Sequence, residues 1–213
     1  MQEYYQNKRS ELNFLIPKNV RMVLEIGCGN GGFRDNFSNV QYDAIEMNEC
    51  AAEIARIKLS NVVAGTFENS IDLFPDHMYD LVVCNDIIEH ISDTENFLLK
   101  LKNKLNQSGS IIGSIPNVRH ISNIVNLLLK KDWEYTESGI LDKTHLRFFT
   151  EKSLIRLFKE NNFEVEIFSG INSDPFFFNL RYLRMRIICN ILGADTYYRQ
   201  FAFRIRDANK KNS

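Results

Sequence analysis

The sequence predicts an α/β domain built on an open, mainly parallel sheet with helices on both faces. Three observations carry this reading. Short β-rich runs alternate with amphipathic helical segments along the chain. One central run, residues 80–84 (DLVVC), is apolar at almost every position, as a strand buried on both faces must be. A glycine cluster, Gly27 to Gly32, follows directly on the first strand-like run. With 213 residues, 44% hydrophobic and 25% charged, the chain is sized for one domain, residues 1–213.

The elements follow in order. A first strand covers residues 20–26, and a short helix lies near 33–37 beyond the glycines. A second strand at 42–46 leads into an Ala-rich helix over 48–58, and 62–64 form a third strand. Residues 93–105 place Phe97, Leu98, Leu101 and Leu105 on one helical face, with Gly109 just past the end. A fifth strand at 110–115 stops at Pro116. Thr150 caps a helix running to about residue 161, and 163–168 with 201–205 read as a late antiparallel pair. Two segments break the alternation, about 117–147 and 171–198. Both are read as substrate-covering insertions on the strand ends where open α/β sheets bind ligands.

Composition excludes some functions. A formal net charge of -1 argues against broad electrostatic binding to nucleic acid, although the last stretch is locally basic. The four cysteines have no CxxC spacing and read as free thiols of a reducing compartment or as small buried hydrophobes. No signal peptide or membrane-spanning run is visible, so a cytoplasmic location is expected. Residues 176–192 (FFFNLRYLRMRIICNIL) are apolar with interleaved arginines. A pocket lid, a homodimer contact and a peripheral membrane surface are all open, but the arginines do not share one helical face.

The sharpest motif is VLEIGCGNGGF, residues 23–33. Glycines there let the chain turn sharply and bring backbone against a ligand. Gly27, Gly29 and Gly32 also satisfy the G-x-G-x-x-G dinucleotide pattern, with Glu46 at the distance of a ribose-binding acid. An NAD-dependent oxidoreductase is therefore the alternative enzyme, although no Tyr-x-x-x-Lys pair follows the fifth strand. A non-catalytic cofactor-binding domain is the alternative outside enzymes.

Glu25, two residues before Gly27, completes E-x-G-x-G-x-G, which resembles motif I of the class I S-adenosylmethionine-dependent methyltransferases. AIEMN, AGTFEN and YDLVVCNDIIEHI follow in the order and register of that family. NDIIEHI and DWEYTESGILDKTHLRFFT resemble its bacterial surface-polysaccharide and O-antigen branch, related to the ubiquinone-type O-methyltransferases. The resemblance implies a Rossmann-like sheet of seven strands with the last antiparallel. It also implies S-adenosylmethionine as cofactor and a small-molecule or nucleotide- or lipid-linked sugar hydroxyl as acceptor. The cofactor residues it implies are Glu25, Gly27, Cys28, Gly29, Gly31, Glu46, Met47, Thr66, Phe67, Glu68, Asn85, Asp86 and Ile87. The family often has Asp where Thr66 stands. CNDI lacks the N/D-P-P-Y/F signature of nucleic-acid amino-methylating enzymes.

For the acceptor, Asp86, Glu89 and His90 share a face if residues 87–91 begin a helical turn. A cap with a neutral packed His90, a base oriented by a carboxylate, and a divalent ion are all compatible, and no metal ligand set is assigned. His145 and Arg147 form a second cluster, to activate a hydroxyl and hold an anion, or simply a surface ion-pair group. His90, His145 and Asp86 are the catalytic candidates. His120, Trp133, Tyr135, His145 and Arg147 are the acceptor-binding candidates, the two aromatics as a wall against a ring or as the insertion's own core.

Overall fold

The structure, a computed structural model, describes residues 8–173 and 183–210. Its strands are β1 (Met22–Ile26), β2 (Gln41–Glu46), β3 (Asn61–Ala64), β4 (Tyr79–Asn85), β5 (Leu105–Pro116), β6 (Phe163–Ser173) and β7 (Tyr198–Asp207). Among the described residues they form one seven-stranded sheet of order β3-β2-β1-β4-β5-β7-β6. The pairs from β3 through β5 are parallel, and β7 runs antiparallel to both β5 and β6. The helices are α1 (Glu49–Ala55), α2 (Phe67–Ser70), α3 (Thr94–Lys104), α4 (Ile121–Val125), α5 (Glu151–Glu160) and α6 (Leu183–Leu192).

Alternation along the strands separates two apolar layers. Leu24 and Ile26 of β1, with Val82 and Cys84 of β4, join Phe97, Leu98, Leu101, Leu154 and Phe158 from α3 and α5 on one face. Val23, Leu81 and Val83 face the other side, where Leu12 and Leu15 and the Ala52 and Ala55 of α1 cover them. Every residue of 81–84 is fully buried, which is why that run carries no polar alternation. Each such side chain removed from water contributes about 1.5–3 kcal/mol.

Local chemistry sets the helix starts. The Asn48 side chain accepts from the Ala51 amide, and that of Asp93 accepts from the Asn96 amide. Thr150 and Ser153 exchange side-chain and backbone bonds in a reciprocal cap.

Boundaries differ where tertiary pairing overrides local signals. β6 continues to Ser173 and β7 begins at Tyr198, so the second insertion is shorter than residues 171–198. The extension, Ser-Gly-Ile-Asn-Ser, has little strand propensity and is held by pairing with β7. β5 begins at Leu105 with no intervening loop, so Gly109 lies in a strand and not beyond a helix end. The Ala-rich helix stops at Ala55, short of residue 58. Of the apolar-arginine segment 176–192, residues 174–182 lie outside the described residues. Among the described residues no helix is long and apolar enough to cross a membrane.

Urea denaturation checks this layering. Phe158 is fully buried with its ring centroid 4.7 Å from that of Phe203, so Phe158→Ala is expected to cost about 3–5 kcal/mol. Thr150→Ala, which removes only a cap, is expected to cost about 1 kcal/mol. Equal losses would contradict the account.

Candidate active site

Parallel pairing brings the C-terminal ends of β1, β2, β4 and β5 to one edge, and the glycine loop lies there. Gly27, Gly29 and Gly31 have φ of 75°, 53° and 74°, the left-handed region that L side chains disfavour. Gly32 has φ -65°, open to any residue. The backbone thus requires glycine in a G-x-G-x-G spacing and not in the G-x-G-x-x-G of a dinucleotide loop. A Cβ on Gly27 would also lie 2.4 Å from Cδ1 of Ile87, so the loop and the turn after β4 are in contact.

Glu46, the last residue of β2, is buried beneath the loop. Its Oε2 accepts from the Gly29 amide at 2.7 Å and its Oε1 from the Asn48 amide at 2.9 Å. A fixed carboxylate with this polarity can accept from the paired hydroxyls of a ribose.

The other expected cofactor residues divide by burial. Glu25 points to the α1 face, where its carboxylate accepts from the Tyr42 hydroxyl at 2.9 Å. Burial pushes that carboxyl up to about 8. Cys28 is buried with its Sγ 3.5 Å from the Gly29 carbonyl, and burial raises its thiol. Met47 is 75% exposed beside Glu46, a free apolar surface on the binding edge. Thr66 and Glu68 are exposed at the start of α2. The Phe67 ring stacks in the core at 4.5 Å from Phe97, which leaves the backbone of that turn, and not the ring, for a ligand. The Asn85 side-chain oxygen is buried at the end of β4 and accepts no hydrogen bond.

The helical face expected to carry Asp86, Glu89 and His90 together does not form. Asp86 has φ 54° and stands outside a 3-10 turn, Ile88–His90. Its carboxylate instead meets Arg9 Nη1 at 2.5 Å, Gln200 Nε2 at 2.7 Å and the Ser114 hydroxyl at 2.8 Å. Those charge-assisted bonds hold a backbone conformation that Asp tolerates better than most residues.

Glu89 and His90 gain a different partner. The Leu146 and Arg147 amides donate to the Glu89 carbonyl at 2.8 and 3.1 Å, and Arg147 Nη2 donates to the Ser92 carbonyl at 2.7 Å. This docks the 145–147 segment on the turn after β4, leaving the His90 and His145 ring centroids 4.8 Å apart. Nδ1 of His90 lies 3.2 Å from the Thr144 carbonyl and Nδ1 of His145 3.0 Å from the Ile140 carbonyl. A carbonyl only accepts, so each Nδ1 carries a hydrogen and turns Nε2 away from that carbonyl. Burial, with His90 alongside, holds His145 below the usual histidine range.

Phe148 continues this surface. Its ring centroid is 5.3 Å from Trp133, 6.1 Å from Tyr135 and 6.3 Å from His145. The two sequence-predicted aromatics therefore meet at a third that the sequence reading passed over, although it stands in the same DKTHLRFF run. His120 does not join this group: it is fully buried at the start of α4, its Nδ1 2.8 Å from the Ser122 hydroxyl. Arg147 lines a separate cleft of about 350 Å³ with Ser92, Asp93 and Glu160. Arg9 and Gln200 were also missed, since only the fold brings them to Asp86.

Comparison with known proteins identifies the family and the fold. A family model described as a methyltransferase domain matches residues 1–166. The chain belongs to that family, the S-adenosylmethionine-dependent methyltransferases, and S-adenosylmethionine is its cofactor. It is 25% identical over 162 residues to the ubiquinone biosynthesis O-methyltransferase of Rickettsia akari (strain Hartford), covering 72% of this chain. The match spans 62% of that relative's length. Among solved structures, a SAM-dependent methyltransferase from Archaeoglobus fulgidus aligns with TM-score 0.63 at 20% identity, over 97% of this chain and 94% of that one. A further S-adenosylmethionine-dependent methyltransferase, from Listeria monocytogenes, gives TM-score 0.64 at 15% identity, over 97% and 99%. These likenesses establish the fold.

Two outcomes follow. S-adenosylhomocysteine at 100 times its dissociation constant is expected to stabilise the chain by about 2.7 kcal/mol in thermal unfolding, and Glu46→Gln is expected to remove most of the shift; an unchanged shift would contradict the role of Glu46. The second concerns pH. The folded chain keeps a proton on Glu25 that the unfolded chain releases above about 4.5, so this contribution to stability falls between about pH 4.5 and 8 and is level beyond. Urea midpoints from pH 5 to 8 should decline less in Glu25→Gln; an identical decline would refute it.

Proposed function

We propose that this chain O-methylates a ring-borne hydroxyl of a small molecule, first among them a nucleotide- or lipid-linked sugar of surface-polysaccharide synthesis. The observation that carries the proposal is the pair of adjacent imidazoles, His90 and His145, each donating Nδ1–H to a backbone carbonyl beside the aromatic wall of Trp133, Tyr135 and Phe148. Methyl transfer is an in-line displacement: the acceptor oxygen attacks the methyl carbon as the carbon–sulfur bond breaks, and the bonding pair stays on sulfur. Positioning alone supplies much of the rate, but a hydroxyl must also lose its proton. The imidazole pair meets that need, and the flat aromatic surface suits a ring. A phenol is the second acceptor reading, favoured by relatives that are named ubiquinone biosynthesis O-methyltransferases.

Labelled S-adenosylmethionine offered with panels of nucleotide sugars, phenols and amines tests this. Turnover is expected on hydroxyls. His145→Ala is expected to lower kcat by about 10²–10⁴-fold with S-adenosylhomocysteine affinity unchanged. Phe148→Ala is expected to act chiefly on the acceptor KM. Turnover confined to amines, or full activity in His145→Ala, would contradict the proposal.

A further inference from the structure

We infer that Glu89, His90 and His145 form a binding site for one divalent transition-metal cation. A donor atom from each of the three lies within 4.8 Å of the others. Ligand bonds of about 2.0–2.2 Å place the donors of one cation roughly 3–3.5 Å apart, so small side-chain rotations close the set.

Three independent features point the same way. Glu89 is 1% exposed, and neither of its side-chain oxygens accepts a hydrogen bond. A buried carboxylate in that state is costly unless a cation joins it. Next, both imidazoles donate Nδ1–H to backbone carbonyls, an outer-shell arrangement that fixes the tautomer and presents Nε2 as ligand. Finally, the segment bearing His145 is fastened to the Glu89 carbonyl through two backbone amides, so all three donors belong to one supported unit. Asp86 is not part of the set, because Arg9, Ser114 and Gln200 occupy its carboxylate.

One carboxylate with two imidazoles suits manganese, iron, cobalt or zinc better than magnesium or calcium, whose preferred ligands are oxygens. Three protein ligands leave coordination positions open for an acceptor. Its role in catalysis rests on the O-methylation reading. With the cation bound, the imidazoles act as ligands in place of a base. The cation-bound hydroxyl releases its proton to solvent at lower pH, and the resulting oxygen lone pair forms the bond to methyl as the sulfonium becomes a neutral thioether. Binding itself does not depend on that reading.

The test uses tag-free full-length chain carrying Cys50→Ser, because Cys50 is exposed and its thiol would compete for metal. Metal-free protein is titrated with Co²⁺, followed by its visible absorption, and then with Zn²⁺ as competitor, without acceptor or S-adenosylmethionine. One equivalent should bind and be displaced by zinc. Glu89→Gln and His145→Asn should each weaken binding by at least about 100-fold, while His77→Ala should leave it unchanged. His145 is only half-buried, so His145→Asn carries the test should Glu89→Gln fail to fold. No binding up to millimolar cobalt, or equal affinity in the His145 variant, would overturn the site. Metal binding without detectable methyl transfer would leave the site standing and refute only the acceptor reading.

Discussion

Much of the binding edge depends on one constraint, the capture of the Gly29 amide by the buried carboxylate of Glu46. The loop from Gly27 to Gly31 passes through left-handed backbone three times, a path that nothing local except glycine favours. Glu46 holds that path from below while also holding the start of α1 through Asn48. Strand β1, strand β2 and their two following segments thus share one charged anchor. Ile87, in contact with Gly27, carries the same constraint to the turn after β4.

That turn is where the family's cofactor and the proposed acceptor would meet. Its backbone carbonyl at Glu89 receives the insertion, which brings His145 to His90 and Phe148 to the aromatic wall. On its other side Asp86 is balanced by Arg9, reaching from near the chain's beginning, and by Gln200 of β7. Segments remote in sequence therefore converge on a few residues, with the Asp86 carboxylate paired and the Glu89 carboxyl accepting no hydrogen bond. Natural proteins keep such a buried, unpaired group rarely, which makes it the more informative feature of the site.

Most of the fold was legible because burial on both faces writes itself into the sequence. The 81–84 run, the glycine loop and the Thr150 cap each carry a local signal with a single physical cause. The late strands were read too short, since Ser169 to Ser173 pair with β7 without any apolar alternation of their own. The site was legible only in part. Glycine spacing and Glu46 speak for themselves, but the partnership of His90 with His145 depends on a loop docking that no periodicity encodes. The expected shared face failed for a related reason. Spacing of Asp86, Glu89 and His90 assumes helical backbone, and the ion pair with Arg9 supports a left-handed Asp86 instead.

The most direct measurement of the central claim is a nuclear magnetic resonance titration of labelled chain with S-adenosylhomocysteine. The Gly29 and Asn48 amides, both bonded to Glu46 in this structure, should shift most as the carboxylate turns to the ribose, with smaller changes at Thr66 and Asn85. Saturable shifts centred elsewhere, with Gly29 and Asn48 unmoved, would contradict the placement of the cofactor on this edge.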